Sequence, residues 1–180
     1  GLVMLKAGVA RRLVDFAMSL VGHWPGGLGV AMVLTMGFFA AFCGSILAAI
    51  TAVGAIMMPQ MLKKGYSAPF TVTLAASAGL LEALIPPSNA AIIYSSLTMV
   101  PVSQTFAAGV FPGLVLLIIL ILVVIVRCRN MPREPKANSA ERLTALYAAA
   151  PGLMTPVIIL GGIYSGLMTP SETAAVAAVW

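Results

Sequence analysis

The chain has 180 residues, 61% of them apolar and 8% charged, with a formal net charge of +5. Soluble domains carry about a quarter charged residues, so this composition, with a mean hydropathy of +1.05, excludes a soluble globular fold and points to an integral membrane protein. The apolar stretches are long and continuous, not alternating segments of about ten residues, which excludes an outer-membrane barrel. Basic residues flank those stretches, where membrane orientation is decided, and do not build a nucleic-acid surface. Cys43 and Cys128 set up no disulfide framework. The chain begins without Met and stops at Trp180 within an apolar helix, so it reads as a fragment.

Residues 1–27 open the chain. Leu2, Leu5, Val9, Leu13, Phe16 and Leu20 recur at helical spacing, with Lys6, Arg11, Arg12 and Asp15 between them. This pattern predicts an amphipathic helix lying along the cytoplasmic membrane surface, closed by His23-Trp24-Pro25-Gly26-Gly27. His23 is read as structural. Residues 28–65 follow. Leu28 to Leu62 is apolar for 35 residues, short of the roughly 40 that two full spans require. Its centre, Phe42-Cys43-Gly44-Ser45, is small and turn-capable. The expectation is a re-entrant hairpin with its tip at Cys43-Gly44-Ser45; two short spanning helices are the alternative.

Residues 66–127 contain a broken transmembrane helix and a following one. Leu84-Ile85-Pro86-Pro87-Ser88-Asn89 interrupts an apolar run. The two prolines remove backbone donors and push Ile85 out of the helical region. In hydrocarbon such a break survives only where protein buries it or a polar cavity adjoins it. Phe106 to Val126 then crosses back. Residues 128–144 form a basic cytoplasmic linker. Residues 145–180 begin a further unit, with Pro151 and Pro156 marking the start of its helix. Thr169-Pro170-Ser171-Glu172 is a capping box that opens the next one. With the hairpin returning to its starting side, every basic cluster falls on one side of the membrane. Two full spans would give the same parity.

Candidate chemistry concentrates at the two breaks. Helix ends meeting there present free carbonyls to a cation and free amides to a carboxylate. Ser45, Glu82, Ser88 and Asn89 are the candidate solute contacts. Main-chain carbonyls at Cys43, Gly44, Ser45, Gly79, Ile85 and Pro86 are the candidate sodium ligands. Either serine is equally well an interhelical hydrogen bond. Glu82 is an intramembrane carboxylate, functional by default; it would bind a cation, pair with an amine, carry a proton, or sit protonated against a neighbouring helix. The dispersed methionines read as packing. No metal-ligand cluster, phosphate loop or catalytic pair stands out, so neither an enzyme nor a cofactor is expected.

These pieces resemble a known family. Ala10-Arg11-Arg12-Leu13, Gly22-His23-Trp24-Pro25-Gly26-Gly27-Leu28, Gly44-Ser45, Pro59-Gln60-Met61, Gly65-Tyr66, Ile85-Pro86-Pro87-Ser88, Ile93-Tyr94, Ala108-Gly109-Val110-Phe111-Pro112-Gly113 and the run Gly161 to Glu172 occur in order. Together they resemble the large, DctM-type membrane subunit of tripartite ATP-independent periplasmic (TRAP) transporters. The resemblance implies an inverted-repeat, elevator-type ion-transporter fold, of which this fragment holds the first hairpin and broken helix and the opening of the second repeat. It implies sodium-driven import of an organic acid across the bacterial inner membrane. A periplasmic solute-binding protein and a small DctQ-type membrane subunit would be partners. The chain departs from the family where Cys43 replaces a Ser and where Leu80 and Glu82 stand before the Pro pair. The added carboxylate predicts an atypical solute carrying a positive group. Another cation-coupled carrier and a non-transporting scaffold are the alternative readings.

Overall fold

The computed structural model describes residues 8–131 and 133–179; nothing is described of the side chains of residues 42, 43, 170, 174 and 177–179. The helices are α1 (Val9–Val21), α2 (Gly27–Cys43), α3 (Ile46–Lys63), α4 (Ala68–Gly79), α5 (Leu81–Leu84), α6 (Asn89–Thr98), α7 (Val102–Arg127), α8 (Ser139–Tyr164) and α9 (Pro170–Val179). The described residues contain helices and no strands.

The centre of the molecule is α2. It is apolar on every side, the pattern of a helix enclosed by others. Val30, Met32, Val33, Met36 and Phe39 have no exposed surface. Against it pack α1, α3, α4, α5, α7 and α8. Three helices, α3, α7 and α8, are long and apolar enough to cross a membrane, and Ala68–Leu84 with Asn89–Thr98 makes a fourth, bent by 40°. Along α7, Phe111, Ile118, Leu122 and Val126 are exposed, as expected of a face turned to lipid.

Residues 27–63 form two antiparallel arms, α2 and α3, which pack on each other. At 18 residues α3 is about 27 Å long, so it is long enough to span, and length alone does not separate a re-entrant arm from a crossing one. Each arm is close in length to Ala68–Leu84, so the hairpin tip meets the break at Pro86-Pro87 and not the far end of the broken helix.

Two expectations need correction. The helix of the last unit begins at Ser139, before the two prolines, and Pro151 and Pro156 lie inside it. Asn138 and Glu141 form a capping box there, with the Asn138 amide donating to Glu141 Oε2 at 2.8 Å. That local start outweighs the polar composition of residues 139–144. Inside the helix, the Thr155 hydroxyl donates back to the Pro151 carbonyl at 3.3 Å. The apolar stripe of α1 also differs from expectation: it is covered by protein, not open to lipid. Leu13, Val14 and Ala17 are buried, α1 packs on α2 and α8, and Phe16 meets Phe38 at 5.9 Å between centroids. Leu2, Leu5 and Lys6 lie outside the described residues.

Candidate functional site

The hairpin tip and the helix break meet. α2 ends at Gly44, whose φ of 54° is left-handed, a conformation open to glycine at little cost. A Cβ at Gly44 would lie 2.8 Å from the Pro87 carbonyl oxygen and 3.2 Å from the Asn89 nitrogen. Position 44 therefore needs glycine twice, for its conformation and for its approach to the opposing backbone. Ser45 follows as the N-cap of α3, in extended conformation and with no side-chain cap hydrogen bond.

The break is built from its own sequence. Ile85 is extended, as the residue before a proline must be. Pro86 and Pro87 have no amide to offer the carbonyls one turn back, those of Glu82 and Ala83. The Ser88 hydroxyl repairs one of these losses by donating to the Ala83 carbonyl at 2.8 Å. It also accepts from the Ala91 amide at 3.4 Å, which opens α6 as an N-cap. Ser88 is 1% exposed, so its hydroxyl serves the backbone of its own segment.

Glu82 is fully buried. The Ser45 amide donates to its Oε2 at 3.1 Å, the Gly44 amide faces the same carboxyl, and Oε1 has no hydrogen-bond partner among the described residues. Asn89, the first residue of α6, is exposed, and a Cβ at Gly44 would lie 3.5 Å from its carboxamide carbon. Gly79 packs against the first turns of α3, its missing Cβ 2.8 Å from Ile50 and 3.3 Å from Ile46. Of Cys43 only the backbone, the last residue of α2, is described. The structure thus draws Gly44, Ser45, Glu82, Pro87 and Asn89 into one seam. Ile85 is turned toward α7 and Gly79 is set against one hairpin arm.

Sequence reading missed the floor of this seam. A Cβ at Gly109 would lie 2.5 Å from the Leu84 carbonyl oxygen, and one at Gly113 would lie 3.0 Å from Ile85 Cγ1. These two glycines let α7 close on the last turn before the break. Their four-residue spacing is the signal for close helix packing in membranes. No group of three or more His, Cys, Asp or Glu side chains able to hold a metal occurs among the described residues. A cation at the seam would therefore have main-chain oxygens, the Ser45 hydroxyl, the Asn89 carboxamide oxygen and a single carboxyl to draw on.

Residues 1–180 match the family described as the tripartite ATP-independent periplasmic transporter, DctM component. The chain is similar to the C4-dicarboxylate TRAP transporter large permease protein DctM of Pseudomonas aeruginosa, 46% identical over all of this chain and 43% of that protein. It is 44% identical to the protein of the same name from Vibrio cholerae, over 98% of this chain and 40% of that protein. It is also 38% identical to the ectoine TRAP transporter large permease protein TeaC of Halomonas elongata, over 96% of this chain and 41% of that one. The chain spans about two-fifths of the length of these relatives. It belongs to the DctM-component family of TRAP transporters, a family of multi-pass permease subunits and not of enzymes.

Proposed function

We propose that this chain is part of the large transmembrane subunit of a sodium-coupled TRAP importer in a bacterial inner membrane. Its solute is an organic acid in the range of C4-dicarboxylates and related carboxylates, delivered by a periplasmic solute-binding protein. A small DctQ-type subunit accompanies it, and a relative named the isethionate TRAP transporter permease protein DctMQ supports that partner. The observation that carries the reading is the meeting of Gly44 with the Pro87–Asn89 backbone. Two interrupted helices facing each other supply carbonyls for a hard cation and amides for a carboxylate. Carbonyls at Cys43, Gly44, Ile85 and Pro86 are the proposed sodium ligands, with the Ser45 hydroxyl and Asn89 as the proposed solute contacts.

In this reading residues 28–65 are a re-entrant hairpin that moves with the broken helix. The test is uptake by proteoliposomes holding the full-length subunit, its small partner and the cognate binding protein. Uptake that requires both an inward sodium gradient and the binding protein supports the proposal. Uptake that follows a proton gradient alone, or that proceeds without the binding protein, overturns it.

A further inference from the structure

We infer that Glu82 is a positioning residue: its carboxyl, reaching from the broken helix, caps the start of the hairpin's second arm and thereby sets the tip on the break. The inference rests on the transport reading for its functional consequence, but not for its geometry. Ser45 is the N-cap of α3 and makes no side-chain cap hydrogen bond. The opening amides of a helix need acceptors from elsewhere, and a carboxylate at a helix N-terminus is the favoured one. Glu82, 37 residues further along the chain, fills that place by accepting from the Ser45 amide at 3.1 Å, with the Gly44 amide facing the same group.

Two other readings of Glu82 fit the structure less well. A solute contact needs access, and Glu82 has no exposed surface. An ion pair needs a cationic partner. The last turn before the break packs on α2, α3, α4, α6 and α7. Of these, α2, α4 and α6 carry no charged side chain, while α3 and α7 carry only Lys63 and Arg127, each at the helix end. Oε1 accordingly has no hydrogen-bond partner among the described residues. The contact the structure does show is hydrogen-bond acceptance by Oε2 from the Ser45 amide. Glutamine preserves an acceptor of that reach without the charge, and leucine preserves the bulk without the acceptor.

The experiment uses the full-length subunit in lipid nanodiscs for amide hydrogen exchange, and in proteoliposomes with its partners for uptake. Glu82→Leu is expected to raise exchange at the Ser45 amide by about tenfold or more, with no change along α7. It is also expected to weaken apparent sodium affinity while leaving solute KM at saturating sodium unchanged. Glu82→Gln is expected to restore both readouts to within about twofold of the parent. Parent-like exchange at Ser45 in Glu82→Leu overturns the inference. So does a Glu82→Gln protein as impaired as Glu82→Leu, or one whose solute KM changes while exchange at the tip does not. Should Glu82→Leu fail to assemble, Glu82→Asp decides: its shorter side chain must raise exchange at Ser45 where Gln does not, and the reverse overturns the inference. If the parent protein shows no sodium-driven uptake, the functional reading fails while the exchange comparison still judges the cap.

Discussion

Ser88 spends its hydroxyl within its own segment, donating to the Ala83 carbonyl and accepting from the Ala91 amide. Ser88→Ala removes an N-cap and leaves the part-buried Ala83 carbonyl without its donor. The expected loss is about 1–2 kcal/mol of stability, read as a lower midpoint in thermal unfolding of the full-length subunit. A midpoint equal to the parent's would show that another group satisfies the Ala83 carbonyl. The neighbouring Gly44 is constrained differently. A β-branched side chain there must leave the left-handed region and push against the Pro87 carbonyl, so Gly44→Val is expected to displace the tip. Pro86 was legible in the sequence because its effect is local, whereas Ser88 read as a solute contact or an interhelical hydrogen bond and instead serves its own segment. Glu82 was legible as an anomaly but not as a cap. Nothing in sequence says that the residue it caps lies 37 positions away.

At the scale of elements, two capping boxes open α8 and α9. The one at Thr169 was readable from spacing alone: the Thr169 amide donates to Glu172 Oε2 at 2.7 Å and the Glu172 amide donates to the Thr169 hydroxyl at 3.3 Å. The one at Asn138 was obscured by the polar residues beside it. The Thr169 amide, and then its hydroxyl, hold the Glu172 carboxyl below its ordinary range. The sign follows. A carboxyl whose folded pKa is lowered adds stability above its unfolded value, and that contribution disappears as pH falls through the lowered one. Amide exchange at the first turn of α9, corrected for its intrinsic pH dependence, should therefore rise on acidification below the ordinary carboxylate range. A flat profile would contradict it.

A second element-level contact is the ion pair between Lys64 Nζ and Glu134 Oε1 at 2.7 Å, half-exposed on the lysine side. It ties the hairpin base to the linker. A double-mutant cycle with Lys64→Ala and Glu134→Ala should give a coupling of about 0.2–1 kcal/mol; a coupling several times larger would mean that the pair is shielded in the assembled subunit.

Over the whole molecule, the basic ends of the helices gather at one end. Lys64 meets Glu134, the Glu134 amide donates to the Gly22 carbonyl at 3.2 Å, and Arg142 Nε donates to the Ser19 carbonyl at 3.2 Å. The charge pattern alone forecast this clustering, because orientation is written in short basic segments. It did not forecast that α2 would be the enclosed centre, since a uniformly apolar helix faces lipid or protein equally well and only the packing of its neighbours decides. Cysteines introduced at Met99, 88% exposed in the opposite loop, and at Arg129 should react with impermeant thiol reagents from opposite sides of the membrane. Labelling of both from one side would break the proposed topology.

In the proposed function the hairpin tip and the helix break together hold the coupling ion. This is tested most directly by the sodium dependence of uptake in the full-length subunit carrying Gly44→Val. Crowding at the seam of about 1–3 kcal/mol corresponds to roughly 5- to 150-fold weaker apparent sodium affinity. The expected outcome is a loss in that range, with binding-protein dependence retained. Parent-like sodium dependence in a correctly assembled Gly44→Val protein would contradict it.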